Sequence, residues 1–387
     1  MPLANSYLEE WQLTDEQPRF PLHARVCDQC YLVQVDDVVP PEAIFGDYAY
    51  FSSYSDSWVE HARRFAQDSS RKLHLSKNSL VVEVASNDGY LLRHFLDAGV
   101  PAMGIEPAAN IAAVASAAGV ETVVHFFGSE LAAELAATGR MADLLVANNV
   151  LAHVPDLNDF VAGLVMILAP EGSLSIEVPH LLRLIQQIQF DTIYHEHFSY
   201  FSLYTAEKVL RAHGLAVFDV EVLPTHGGSL RLWARHEASA PPPTARCEAV
   251  RAAEFAGGLQ DARGYLGFDS AVDRCQQSLI QFLTQAAADG MQVVAYGAAA
   301  KGNTLLNSCN IGRSSIAYVI DRSPHKQGKF LPGSRLPILG PEALVVDRPD
   351  FLLILPWNLR EEIMQQMRVV REWGGRFVVA NPETVVL

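Results

Sequence analysis

The chain has 387 residues, enough for two or three domains, and 49% of them are hydrophobic against 19% charged, so a packed core can form throughout. A formal net charge of −15 argues against a binder of the nucleic-acid backbone, whose affinity depends on Lys and Arg. It leaves room for one small anion held by backbone amides and a few cations. No positively charged apolar leader opens the chain, and no apolar run approaches the length of about 18 residues that spans a bilayer. Five cysteines (Cys27, Cys30, Cys247, Cys275 and Cys309) are odd in number and too scattered for a disulfide framework. These features predict a soluble protein of the reducing cytoplasm, with no membrane or nucleic-acid partner.

Residues 1–56 are rich in Pro, aromatic residues and short apolar runs, with no helical period. Residues 57–67 open an amphipathic helix through Trp58, His61, Ala62 and Phe65. Strands at 80–84, 101–105, 122–124, 142–147 and 172–178 then alternate with helices at 89–98, 108–118, 129–138 and 157–168. That alternation predicts an α/β fold with a parallel, doubly wound sheet. Strands at 216–223 and 229–235, with little helix between them, predict an antiparallel pair closing one edge. Three consecutive prolines within 238–245 mark a linker. A long helical stretch at 246–289 leads into strands at 292–296, 316–320 and 351–355 and a last one near 376–380, a second, smaller α/β domain spanning 246–387.

The first strand of the larger domain (57–237) runs through Glu83 into the turn Ala85-Ser-Asn87-Asp88-Gly89. Such a turn lies at the carboxyl end of its strand, where open α/β sheets bind ligands. Asp88-Gly89 makes a sharp turn whose backbone can approach a ligand closely. The next strand ends at Glu106, placed to bind both hydroxyls of a ribose. The turn lacks the Gly-x-Gly-x-x-Gly pyrophosphate fingerprint, and its acidic residue would repel a diphosphate while suiting a cationic amino-acid end such as that of S-adenosylmethionine. An ordinary βα turn in a structural domain is the competing explanation. The fourth strand delivers Asn148, Asn149 and His153 to the same sheet edge, where a lone histidine can equally be structural.

The run Tyr194-His-Glu-His-Phe-Ser-Tyr-Phe201 concentrates acid/base groups and predicts proton-transfer chemistry, against the alternative of a tyrosine-rich loop packing two domains. If the run is extended, His195 points away from His197, because neighbours alternate faces. In the second domain, Gly297-Ala-Ala-Ala-Lys301-Gly302-Asn-Thr304 follows a strand and opens a helix, so it can hold a phosphate on helix-terminal amides. Asn303 stands where a phosphate-binding loop requires lysine, which disfavours ATP hydrolysis, and the dinucleotide fingerprint is absent. Lys301 and Gly302 are candidates for contacting the diphosphate of a nucleotide sugar. Asp321, Arg322, His325 and Lys326 form a second polar cluster for the same ligand, or a solvated loop.

The chain resembles the sugar C-methyltransferases of deoxysugar biosynthesis, which act at C-3 of TDP-linked 4-keto hexoses for antibiotic glycosides. The resemblance rests on Pro2-Leu-Ala-Asn5, Cys27-Asp-Gln-Cys30, Phe45 to Ser55, Glu83 to Gly89, Asn148 to Pro155, Tyr194 to Phe201, His226-Gly-Gly-Ser-Leu-Arg231, Tyr296 to Leu305 and Asp321 to Gly328. It implies an N-terminal zinc-binding module, a central domain for S-adenosylmethionine and a Rossmann-like C-terminal domain, with the sugar nucleotide between the last two and a monomeric state. By the same resemblance, His197 is the general base assisted by Glu196, while Tyr194, His153 and Tyr48 line the keto sugar, the last two as donors to its developing oxyanion. His226, Lys301, Gly302 and Arg322 face the nucleotide sugar. The family holds zinc with two Cys-x-x-Cys pairs, and only Cys27 and Cys30 are present. Either the chain begins late or a zinc-closing half has been lost, so a weakened or empty zinc site is expected. A nicotinamide-dependent sugar-nucleotide oxidoreductase and a non-catalytic scaffold are the competing functions.

Overall fold

The computed structural model describes residues 1–36, 39–40, 44 and 51–387. Two hairpin strands come first, β1 (Ala24–Val26) and β2 (Val33–Val35). The main sheet follows with β3 (Val81–Val84), β4 (Ala102–Ile105), β5 (Glu121–Val123), β6 (Ala142–Asn148) and β7 (Leu168–Pro179). After β8 (Ser199–Tyr200) it is completed by β9 (Leu215–Leu223) and β10 (Ser229–His236). Its order is β5-β4-β3-β6-β7-β10-β9, parallel as far as β7, with β10 antiparallel to both of its neighbours.

Strand burial explains this arrangement. Each residue of β3 and β4 is buried, the pattern of strands covered by helices on both faces. Val82, Ile105, Leu145, Leu174 and Leu230 pack one face, and Val81, Leu92, Phe95 and Leu144 the other. The chain order reverses between β3 and β6, and ligands bind in the crevice at such a switch point. Gly104 has no side chain because a Cβ would lie 2.2 Å from Ser86 Oγ, so the turn after β3 depends on a bare neighbour.

The second sheet contains β11 (Val293–Tyr296), β12 (Val319–Ile320), β13 (Ile338–Leu339), β14 (Phe351–Ile354), β15 (Arg376–Val379) and β16 (Val385–Val386). Its order is β13-β12-β11-β14-β15-β16, parallel except at β16, with its own reversal between β11 and β14. The helical stretch expected over 246–289 is two helices, Ala245–Ala256 and Phe268–Ala288. Glycine breaks it: Gly258 adopts φ +74°, and a Cβ on Gly264 would fall 2.6 Å from the Gly258 carbonyl oxygen. The loop thus turns on two backbones that touch.

The N-terminal residues fasten onto the second α/β unit. Leu8 and Phe330 exchange backbone hydrogen bonds of 2.9 and 2.8 Å, and the Tyr7 hydroxyl donates to the Ala298 carbonyl at 2.7 Å. In contrast, β2 pairs antiparallel with β8, which is the tail of the histidine-rich run. No described helix is long and apolar enough to cross a membrane.

One buried ion pair holds the antiparallel edge of the main sheet. Arg231 of β10 lies directly across from Glu177 of β7, donates to it from Nε at 2.8 Å, and both are buried. His61 Nε2 sits 3.1 Å from the same carboxylate. Burial opposes ionisation of Glu177, but His61 and Arg231 outweigh it and hold the carboxyl below its ordinary range. Replacing Arg231 with Met should therefore cost about 3–5 kcal/mol in urea unfolding, by leaving a buried charge unpaired. Adding Glu177→Gln should recover most of that loss; an Arg231→Met protein as stable as the parent would contradict the account.

Candidate active site

The turn after β3 is shaped by strained backbone. Ala85 and Asn87 adopt φ of 57° and 50° and Gly89 76°, so successive peptides turn sharply at the sheet edge. Glu106, at the end of β4, accepts the amides of Asn87 (3.0 Å) and Ala108 (2.9 Å), which ties the ends of β3 and β4 together. Each of its oxygens keeps a second lone pair for a ribose hydroxyl. Ser52 and Ser53 donate their amides to Asn87 Oδ1 (2.9 Å) and Asp88 Oδ2 (3.1 Å), so the segment before the helix Asp56–Leu73 straps across this turn.

Several buried polar atoms at the same edge have no partner among the described residues: Glu83 Oε2, Ser86 Oγ, Asp88 Oδ1, Asn148 Oδ1, and both Oδ1 and Nδ2 of Asn149. Leaving such atoms unsatisfied costs free energy, so their convergence marks a surface built for a polar ligand. Burial, reinforced by Asp88, Glu106 and Glu177, pushes the Glu83 carboxyl well above its usual range. This acidic set fits the cationic end and ribose of S-adenosylmethionine and opposes a diphosphate. Glu83, Ala85, Asn87, Asp88, Gly89, Glu106 and Asn148 all lie along it.

The histidine-rich run is a turn rather than an extended segment: the His197 amide donates to the Tyr194 carbonyl at 2.9 Å. His195 still points away from His197, with Nε2 on the Pro21 carbonyl (2.9 Å) and its ring edge-on to Phe20. His197 is buried. Its Nδ1 lies 2.9 Å from the Thr192 carbonyl and its Nε2 3.1 Å from the Tyr194 hydroxyl. A carbonyl only accepts, so Nδ1 carries the proton and Nε2 the lone pair.

The assistance expected from Glu196 is not what the structure shows. Both ring nitrogens of His197 are taken by Thr192 and Tyr194, whereas the Glu196 carboxylate accepts from Asn5 Nδ2 at 2.6 Å. The Glu196 backbone carbonyl instead holds His153 Nδ1 at 2.7 Å, and the His153 and His197 rings lie 4.6 Å apart, edge to face. A carbonyl only accepts, so His153 carries its proton on Nδ1. Burial lowers the His153 pKa to about 4, and burial followed by the proximity of His153 and Lys301 holds His197 well below its ordinary value. Both imidazoles are neutral at pH 7. Tyr48 lies outside the described residues.

The turn between β9 and β10 meets the second α/β unit beside these histidines. His226 adopts φ 54°, lies with its ring 4.9 Å from Trp58, and offers its carbonyl to Lys301 Nζ at 3.5 Å. Lys301 Nζ also reaches Asn358 Oδ1 at 3.3 Å, and burial lowers its pKa against the opposing pull of Asp191. The side chain thus extends toward the histidines, not onto the amides of its own turn. Those amides are engaged elsewhere: Asp321 Oδ2 accepts from the Ala298 amide at 2.9 Å, setting a carboxylate where a phosphate was expected. Gly302 packs against the next strand, since a Cβ there would lie 2.6 Å from Leu355 Cβ. Arg322 is exposed, and His325 stacks on Phe51 at 5.2 Å.

Cys27 and Cys30 sit in the turn between β1 and β2. The amides of Cys30 and Gln29 point at the Cys27 thiol and lower its pKa, the local geometry of half a metal-binding knuckle. Among the described residues no three His, Cys, Asp or Glu side chains converge to hold a metal. Two thiols alone do not fit a tetrahedral structural zinc site.

A sheet in the order β5-β4-β3-β6-β7, extended by an antiparallel pair and lined at its switch point by acidic residues, defines a Rossmann-type methyltransferase, and residues 58–220 match a methyltransferase domain family. Residues 1–45 match a zinc-binding domain family and residues 224–382 the C-methyltransferase C-terminal domain. The C-methyltransferase NovU of Streptomyces niveus is 37% identical over 386 residues, covering 100% of this chain and 92% of its own. The chain therefore belongs to the C-methyltransferase family of NovU, the family its motifs resemble. Among solved structures, magnesium protoporphyrin IX methyltransferase from Synechocystis PCC 6803 aligns over 50% of this chain and 88% of its own, at 15% identity and a TM-score of 0.35. An S-adenosylmethionine-dependent methyltransferase from Clostridium acetobutylicum aligns over 46% and 91%, at 9% identity and a TM-score of 0.37.

The sequence did not single out Thr192, whose carbonyl sets the His197 tautomer, and it marked Asn5 only within the resemblance, not as the residue that holds Glu196. Neither has a local signal, because a backbone carbonyl has no sequence signature and Asn5 acts across 191 residues. The neutral histidines have a consequence for stability. His153 and His226, lowered to about 4 and about 3, stay unprotonated in the fold after the unfolded chain has begun to take up protons near pH 6.5. Their contribution is complete above about pH 6.5 and declines as pH falls toward 4, by up to about 1.4 kcal/mol per pH unit for each. Urea unfolding at pH 7 and pH 5 should show this slope, and His153→Gln should make it shallower; an unchanged slope would contradict the assignment.

Proposed function

We propose that this C-methyltransferase acts on C-3 of a TDP-linked 4-keto-deoxysugar through base-catalysed enolate formation, with His197 as the base. The observation that carries this reading is the buried, neutral imidazole of His197, held in one tautomer by the Thr192 carbonyl with its Nε2 lone pair directed at the Tyr194 hydroxyl. Carbon methylation requires negative charge on carbon, and a sugar C–H becomes acidic only beside a carbonyl. A 4-keto group meets that need at C-3.

In the first step Nε2 takes the C-3 proton while the C–H electron pair moves into a C-3–C-4 double bond and the carbonyl pair onto O-4. S-adenosylmethionine, when bound, supplies the electrophilic methyl group that C-3 takes up. The Tyr194 hydroxyl, already on Nε2, yields that contact to the sugar and keeps the lone pair directed meanwhile. Glu196 acts through its carbonyl, which fixes the His153 ring that packs against His197.

The negative charge on O-4 needs a donor. With the His153 proton turned toward Glu196, the cation we assign to it is Lys301, whose charge is felt at both His197 and His226. Lys301 thus remains a substrate contact in this reading, at the sugar rather than at the diphosphate.

Incubation with a TDP-4-keto-deoxysugar in heavy water, without S-adenosylmethionine, should place deuterium at C-3, and His197→Asn should abolish that exchange. Exchange of equal rate in the variant, or exchange at another carbon, would refute the reading. Lys301→Met should lower kcat by about a hundredfold, with S-adenosylmethionine affinity unchanged in calorimetry. A wild-type kcat in that variant would remove Lys301 from the oxyanion site.

A further inference from the structure

Asp191 has 0% exposure, lies six residues before His197, and enters the chemistry above only through its pull on Lys301. It belongs to the short helical turn Phe190–Thr192, against which the helix Ala300–Ser308 of the second α/β unit packs. Its Oδ2 accepts from Trp357 Nε1 at 2.7 Å, and its Oδ1 from Asn381 Nδ2 at 3.3 Å. Trp357 follows β14 and Asn381 follows β15, so both donors come from the carboxyl edge of the second sheet. A carboxylate buried without such donors would be costly, and Trp357 is itself held in place: a Cβ on Gly227 would fall 2.3 Å from its ring.

The residue that follows Asp191 is Thr192, whose carbonyl receives the His197 Nδ1 proton at 2.9 Å. The Thr192 side chain and amide are tied to the Gln189 carbonyl at 2.7 and 3.1 Å, so this peptide has little freedom except as part of the whole turn. We infer that Asp191 is a positioning residue: by fastening the Phe190–Thr192 turn to Trp357 and Asn381, it makes the second α/β unit set the placement of the His197 ring. The second sheet then does more than bind substrate. It holds the carbonyl that selects the tautomer of a base carried by the first.

This inference rests on the reading of His197 as the base. The experiment compares wild type, Asp191→Ala, Asp191→Asn, Trp357→Phe and His197→Asn, using deuterium exchange into a TDP-4-keto-deoxysugar, kcat and KM for methylation, and calorimetric S-adenosylmethionine binding to count folded sites. Asp191→Ala should lose between about tenfold and about a hundredfold in exchange rate and kcat per folded site, the range expected for a base displaced by a fraction of an ångström to an ångström. KM for S-adenosylmethionine should stay within about twofold, because its site lies on the other sheet.

Asp191→Asn keeps an acceptor for Trp357, and Asn381 Oδ1, which has no partner among the described residues, can turn to accept the new amide. That variant should recover to within about fivefold of wild type, while Trp357→Phe should fall with Asp191→Ala and add little to it when the two are combined. Asp191→Ala with wild-type exchange per folded site, or with the loss confined to KM, overturns the inference. Equal losses in Asp191→Ala and Asp191→Asn overturn it too, since the hydrogen bonds would not then be what matters. Unimpaired exchange in His197→Asn would overturn the base assignment itself, and is told apart because it does not depend on any Asp191 variant.

Discussion

The hydrogen bond between His197 Nδ1 and the Thr192 carbonyl is the constraint on which the geometry of the histidine-rich run depends. A neutral imidazole has one donor and one acceptor, and a carbonyl can take only the donor, so this contact determines which nitrogen is basic. Everything packed around it serves to keep that choice. Burial keeps the ring uncharged, Tyr194 marks the direction of the lone pair, and the edge of His153 limits rotation of the ring. His153 is in turn locked by the Glu196 carbonyl, so two neutral histidines of defined tautomer share one chamber.

The two histidines stand where the two α/β units meet. The first sheet contributes an edge lined by polar atoms without partners among the described residues and by carboxyl groups, which suits a cationic cofactor. The second contributes Lys301, Trp357 and Asn381 from loops at the carboxyl ends of its strands. Open α/β sheets bind ligands at their switch points, and each of these two sheets has one. The N-terminal residues complete the enclosure, with Tyr7 on Ala298 and Asn5 on Glu196. In addition, β2 pairs with β8, so the Cys27–Cys30 turn is joined through one hairpin to the tail of the histidine-rich run.

The main sheet was legible because its strands are apolar runs set between helices of regular period, and its β3 turn and β4 terminus carry polar residues at the spacing of a candidate ligand edge. The β1, β2, β8, β13 and β16 pairings were not legible. They are two or three residues long, too short for any period to register, and exist because partners distant in sequence meet them. The break at Gly257 to Gly267 escaped because helical period continues on both sides, and only the contact of Gly264 with Gly258 shows why the chain must turn.

At the site, the sequence by itself determined the inventory: a histidine-rich run, an acidic cofactor edge, and a lysine after a glycine turn. Residue type and local spacing suffice for that, since titratable groups and strand ends are local properties. Only the tertiary structure decided the roles. Glu196 lies next to His197 in the chain, yet its carboxylate turns to Asn5, and the orienting group is a backbone carbonyl five residues away. Lys301 belongs to a phosphate-like turn, yet Asp321 occupies that turn's amide and the ammonium reaches across to His226. Hydrogen bonds are directional and each donor is used once, so which partner a group takes depends on where the whole chain brings its competitors.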